Sequence, residues 1–172
     1  MANWQNCPAV ELVTDQDGCP WVFKGTQVPL YSPYEQLASG ATVDDFAERF
    51  DVAVEQAVRA LKYEADELHD YRLDYPQGVP FARVANRPPG GPYNTAWITC
   101  PAVEQATGRL GGAWVFKHSR LALYVLYYHL AGGSTIEEFN EWYGTDTGNV
   151  VAVLEHEANK LREAWSAYAD IV

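Results

Sequence analysis

The segment from Trp4 to Leu68 aligns with the segment from Trp97 to Leu161 at a constant offset of 93, without a gap, and 26 of the 65 aligned positions are identical. The identities come in blocks: Cys7-Pro8-Ala9-Val10-Glu11 matches Cys100-Pro101-Ala102-Val103-Glu104, and Trp21-Val22-Phe23-Lys24 matches Trp114-Val115-Phe116-Lys117. An ungapped duplication obliges both units to fold into the same order of elements. A unit of this size is too small to build a comfortable core alone, so the economical arrangement buries a shared face between the two, as a homodimer does. The expectation is therefore an intramolecular dimer with a pseudo-twofold axis, monomeric as a pseudo-dimer or further paired as a homodimer. Residues 1–68 form the first repeat, and 97–172 the second repeat with a helical extension. Between them, residues 69–96 are rich in Pro and Gly (Pro76, Gly78, Pro80, Pro88 to Pro92) and read as a linker.

Within a unit the pattern predicts an α+β fold, mainly α: a β-hairpin followed by three helices. Val10 to Val13 and Trp21 to Phe23 are β-favouring runs around a turn that ends in Asp17-Gly18. A first helix is expected to take Ser32 as its N-cap and Pro33 as its first residue, and to stop at Gly40. Thr42 with Asp45, and Thr135 with Glu138, approximate capping boxes for a short second helix. Val54, Ala57, Val58, Leu61, Ala65 and Leu68 recur at three- and four-residue spacings and predict a longer third helix with one apolar stripe, repeated by Val150, Val151, Leu154, Ala158 and Leu161.

A short helix, a tight turn and a longer helix have the form of a helix-turn-helix, whose last helix can face DNA or a protein. The presumed outward positions are Glu55, Gln56, Arg59, Lys62, Tyr63 and Glu64 in the first unit, and Asn149, Ala152, Glu155 and His156 in the second. Charge favours a protein. The chain has 12 Lys and Arg against 23 Asp and Glu, a formal net charge of -11, with no basic run. Such a surface repels phosphate and suits a basic partner.

The segment Gly18-Cys19-Pro20-Trp21-Val22-Phe23-Lys24-Gly25-Thr26-Gln27-Val28-Pro29-Leu30-Tyr31, followed by Leu37-Ala38-Ser39-Gly40-Ala41-Thr42-Val43-Asp44-Asp45-Phe46, resembles family 433 of the domains of unknown function. That family carries Gly-x-Pro, a short apolar run, Lys-Gly-Thr-Arg-Ile-Pro-Val, a helix, a Gly and an acidic second helix, and the resemblance covers nearly all of each unit. Gln27 stands where the family has Arg, and His118-Ser119-Arg120-Leu121-Ala122 replaces Gly-Thr-Arg-Ile-Pro in the second unit. The resemblance implies a β-hairpin plus helix-turn-helix fold, often dimeric through its N-terminal strands, and a relation to VapB-type antitoxins, which bind a cognate toxin and their own operator.

Residues that would carry catalysis, a cofactor or a metal do not emerge from the pattern. His69, His118, His129 and His156 lack metal-ligand spacing, His156 with Glu155 and Glu157 reads as a solvated face, and Cys7 and Cys100 read as buried, unreactive thiols. The expected function is a non-catalytic, antitoxin-like module that binds a partner protein, such as a basic toxin, through acidic and aromatic surfaces. The alternatives are a DNA-binding regulator, using Arg59 and Lys62 or Arg72, Arg83 and Arg87, and an acidic DNA-mimicking adaptor. Partner contacts are assigned to Arg59, Lys62, Tyr63, His156, Trp165 and Tyr168, the features not duplicated between units. Lys24 and Lys117, the basic residues kept at the repeat offset, are candidates to hold an anion. The N-terminus resembles no signal peptide, no run reaches the ~20 apolar residues of a membrane span, and three cysteines suit a reducing compartment, so a cytoplasmic location is expected.

Overall fold

The chain is described by a computed structural model over residues 4–13, 20–70, 97–106 and 110–169, and within these every side chain except those at 70, 111 and 165–169. It is mainly α-helical, with two small antiparallel sheets and six helices among the described residues. The first unit runs β1 (Val10–Leu12), β2 (Trp21–Phe23), α1 (Ser32–Ala38), α2 (Val43–Phe50) and α3 (Val54–Asp70). The second runs β3 (Val103–Gln105), β4 (Trp114–Phe116), α4 (Leu123–Ala131), α5 (Ile136–Tyr143) and α6 (Thr147–Ala169). The expected Asp15 to Gly18 turn, the linker from residue 71 to 96, and with it Arg72, Arg83 and Arg87, lie outside the described residues.

The two hairpins share one register. Val10 pairs with Phe23 and Leu12 with Trp21, while Val103 pairs with Phe116 and Gln105 with Trp114. After each inner strand the chain folds back on it, giving the isolated bridges Val22 to Pro29 and Val115 to Ala122. That reversal needs a left-handed residue, supplied by Gly25 at φ 77° in the first unit and by His118 at φ 60° in the second. The replacement of Gly by His thus keeps the turn and accepts its backbone strain.

Helix ends follow the local chemistry with one correction. Ser32 does not cap α1: Tyr31 occupies the cap position, no side chain caps the helix, and Ser32 is its buried first residue. The Ser32 amide already donates to Pro29 O at 3.1 Å, so the turn begins one residue earlier than the Ser-Pro pair suggests. Both capping boxes form. Thr42 Oγ1 accepts from the Asp45 amide at 3.1 Å and the Thr42 amide donates to Asp45 Oδ2 at 2.9 Å; Thr135 and Glu138 repeat this at 3.2 and 2.9 Å. At the far ends of α2 and α5, Asp51 (φ 53°) and Gly144 (φ 63°) turn the chain in left-handed conformations toward the third helix.

The longest helices, α3 and α6, pack across the units as well as within them. α3 lies against α4, and α1 lies against α6, so each first helix is covered by the other unit's third helix. One apolar cluster includes Trp4, Phe23, Tyr34, Leu37, Phe46 and Leu61 from the first unit with Trp97, Phe116, Tyr127, Leu130, Phe139 and Leu154 from the second. Tyr34 meets Tyr127 edge-on, ring centroids 6.2 Å apart. Other cross-unit contacts occur at residues related by the offset: Arg162 lies 4.2 Å over the Tyr31 ring where His69 meets Tyr124 at 4.9 Å, and Gly40 approaches the Glu137 carboxylate where Gly133 approaches that of Asp44. No helix of the described residues is long and apolar enough to cross a membrane.

Candidate functional site

Three of the residues expected to bind a partner converge. Arg59, Lys62 and Tyr63 line a groove of about 540 Å3 along the outer side of α3, together with Pro8, Val54, Glu55, Val58 and Asp66. Helical spacing explains it: Glu55, Arg59, Lys62 and Asp66 are exposed at steps of three and four, and Val54, Val58 and Tyr63 are half-buried beside them. Tyr63 is also a brace, since its ring packs 5.5 Å from that of the buried Trp4. Burial and then the nearby Glu67 carboxylate hold the Tyr63 hydroxyl above its ordinary pKa, so it stays a neutral phenol.

His156 does not join that groove. It occupies the position of Tyr63 in the second unit and packs its ring 5.3 Å from Trp97, half-buried. The backbone of Trp165 and Tyr168 belongs to α6, but their side chains lie outside the described ones. Lys24 and Lys117 are both exposed just past β2 and β4. The turn amides beside them are already taken: Gly25 donates to Glu11 Oε1 at 2.7 Å and His118 to Glu104 Oε1 at 3.3 Å, so a carboxylate of the same hairpin stands where an anion would use the backbone.

Two expectations about exposure are overturned. Glu64, expected to point outward, is 1% exposed, and Glu157, read as part of a solvated face, is 0% exposed. The reason is that α3 is flanked by α2 and by α4, and α6 by α5 and by α1, so each third helix is covered on more than one stripe. Glu64 lies three residues after Leu61 and four after Ala60, in the middle of the buried face.

Around these carboxyls the core holds duplicated polar groups. Tyr34 and Tyr127 are fully buried, and the Tyr34 and Tyr127 hydroxyls, the Trp4 and Trp97 indole N–H groups and both Glu157 carboxyl oxygens make no hydrogen bond among the described residues. Burial first, and then the charges of Glu64 and Glu157, push both tyrosine hydroxyls well above their ordinary range. Burial also pushes the Glu157 carboxyl from 4.5 up to about 7. Cys7 and Cys100 are free, buried thiols, raised above 9.0 chiefly by that burial. No group of three or more His, Cys, Asp and Glu side chains among the described residues is placed to hold a metal ion. Burying an uncompensated carboxylate is costly, and a carboxyl with a raised pKa avoids the cost by keeping its proton.

A third cluster was given no role by sequence reasoning. On α5 and the facing end of α4, His129 packs 5.1 Å from Trp142 and 5.2 Å from Tyr143, with His129 Nε2 and the Tyr143 hydroxyl 2.8 Å apart. Trp142 is 58% exposed and Tyr143 42%. The signal was available in the alignment: the first unit has Gln36, Arg49 and Phe50 at these three positions, so His129 and Trp142 are new to the second unit.

No known protein family, curated protein or solved structure matches the chain.

Proposed function

We propose that this protein is a fused pair of antitoxin-like units, paired about a pseudo-twofold axis within one chain, which acts without catalysis by binding a partner protein. The pairing is supported by the reciprocal seating of α1 on α6 and of α3 on α4, and by the offset-related cross-unit contacts of Arg162 with Tyr31 and His69 with Tyr124. The observation that carries the binding function is the α3 groove, where Val54, Val58 and Tyr63 form an apolar floor between the cations Arg59 and Lys62 and the anions Glu55 and Asp66. A floor that can be desolvated, with both signs of charge on the rim, fits a protein segment, whereas a duplex would demand cations alone.

The net charge of -11 points the same way, because a duplex would gain little from counterion release at such a surface. Affinity capture from the native cell on the intact chain, run beside an Arg59→Ala/Lys62→Ala variant and a mobility-shift titration with random duplex at moderate salt, tests the reading. The expected result is a protein retained by the intact chain, lost on the variant, and no duplex shift. A duplex shift at submicromolar protein would replace this reading with that of a DNA-binding regulator.

A further inference from the structure

The two units treat one aromatic position differently, and the difference exposes a binding surface. In the first unit the guanidinium of Arg49 sits 5.8 Å over the Phe50 ring and is held there by a 2.9 Å hydrogen bond from its Nη1 to Gln36 Oε1. The chain thus supplies its own cation to its own aromatic face. At the offset of 93 the second unit has Tyr143 for Phe50, Trp142 for Arg49 and His129 for Gln36. The guanidinium is gone and the most electron-rich of the aromatic side chains stands in its place, more than half exposed.

The acidic surroundings remain. Asp44, Asp45 and Glu48 of α2 correspond to Glu137, Glu138 and Glu141 of α5, all exposed, and α5 has no Lys or Arg. Glu138 stands one helical turn before Trp142 on the same side of α5, and its Oε2 accepts from the Thr135 amide at 2.9 Å, which leaves Oε1 to meet a cation. His129 is edge-on to Phe139 and Tyr143 and tilted against Trp142, so the rings form a braced cluster and not a set of free side chains. Such a face pre-pays the ordering cost that a flexible aromatic would bear on binding.

We propose that the His129, Trp142 and Tyr143 face of α5 docks an arginine-bearing segment of a partner protein, with a guanidinium stacked on Trp142 and the neighbouring glutamates meeting its charge. This deepens the binding-module reading and rests on it, adding a second surface on the other unit from the α3 groove. A delocalised, weakly hydrated guanidinium is the cation best suited to leave water for an indole face. The acidic rim repels an acidic partner.

The test uses the full chain and a fluorescein-labelled peptide of arginines spaced by glycine and serine, with citrulline and glutamate counterparts, followed by anisotropy and by 19F spectra of protein made with 5-fluorotryptophan. Trp142→Ala is expected to weaken arginine-peptide binding by about fivefold or more, and Trp142→Phe by less, with the melting temperature unchanged because the side chain is exposed. The Trp142 resonance shifts with arginine peptide and stays still with the citrulline one. The inference is overturned if Trp142→Ala binds like the parent, if the citrulline or glutamate peptide binds as tightly, or if no peptide binds. If the Arg59→Ala/Lys62→Ala variant alone loses the peptide, this surface is wrong and the binding module survives, with its groove as the site. The binding-module reading itself falls on the capture and duplex experiment described above, if the intact chain retains no protein or shifts the duplex.

Discussion

Replacing Glu157 with Gln is expected to make the protein more stable at neutral and alkaline pH. Glu157 on α6 acts on Tyr34 from α1, on Tyr127 from α4 and on the Cys100 thiol, the two tyrosines also feel Glu64 from α3, and Lys160 on the same helix pulls the Glu157 pKa down. The tyrosines and the thiol are all held above their ordinary values and stay neutral near pH 7, whereas the Glu157 carboxyl changes charge there. In the unfolded chain it loses its proton near 4.5, and in the folded chain near 7. The folded form therefore binds the extra proton between those values. The stability linked to it is fully present below 4.5, declines as pH rises, and is lost once pH passes the folded value.

The full difference corresponds to about 3 kcal/mol, and about 2 kcal/mol of it develops between about pH 5.5 and about pH 8. For a chain of this length about 3 kcal/mol is worth roughly 10 °C in melting temperature. Glutamine keeps the shape and carries no charge at any pH, so urea unfolding of the parent and of Glu157→Gln at those two pH values isolates the effect. The gap between the two proteins should widen toward high pH, with the variant ahead. A gap that is constant with pH, or a parent that is the more stable of the two at pH 8, would refute the reasoning and mean that the core stabilises the carboxylate.

Thr42→Ala and Thr135→Ala each remove one member of a capping box and should each cost about 1 kcal/mol in denaturant unfolding. The Thr42 amide and then its hydroxyl hold the Asp45 carboxyl below 3.8, so the carboxylate's contribution to that box is present above 3.8 and is lost as acid titrates the folded group, and a fluorescence melt series in acid should show Asp45→Ala converging on the parent. His118→Gly should stabilise the second hairpin by about 1 kcal/mol, read by calorimetry, because φ 60° is strained for histidine and free for glycine. Cys7 and Cys100 should resist iodoacetamide in the folded protein and react in urea, read by mass spectrometry, since both thiols are buried and raised in pKa.

Much of the fold was readable because the duplication doubled each local signal. The Thr42 and Thr135 boxes and the Trp-Val-Phe strands sat at equal offsets, and their chemistry is local. Burial of Glu64 and Glu157 was not read, although their identity in both units and their place between Leu61 and Leu68, and between Leu154 and Leu161, gave the signal. A one-stripe reading of a helix assumes one neighbour, and here α3 and α6 each have a second one contributed by the other unit. The α5 cluster was missed for a related reason. Unduplicated aromatics are as compatible with packing as with binding, and the substitution of Arg49 by Trp142 gains meaning only once Phe50 and Gln36 are seen beside the guanidinium. Of the groove, Arg59, Lys62 and Tyr63 followed from helical spacing, but Pro8 is brought there by tertiary packing that no local pattern encodes.

The central claim is that the two units are halves of one paired body, whose shared core leaves the α3 and α5 faces outward for a partner. A protease site inserted between residues 71 and 96 allows the chain to be cut after folding, and size-exclusion chromatography with multi-angle light scattering then reads what the halves do. The account predicts that the cut halves stay together with the mass of the intact chain and separate only in denaturant, because α1 and α4 are each seated on the other half's third helix. Halves that part in native buffer and remain folded would contradict it.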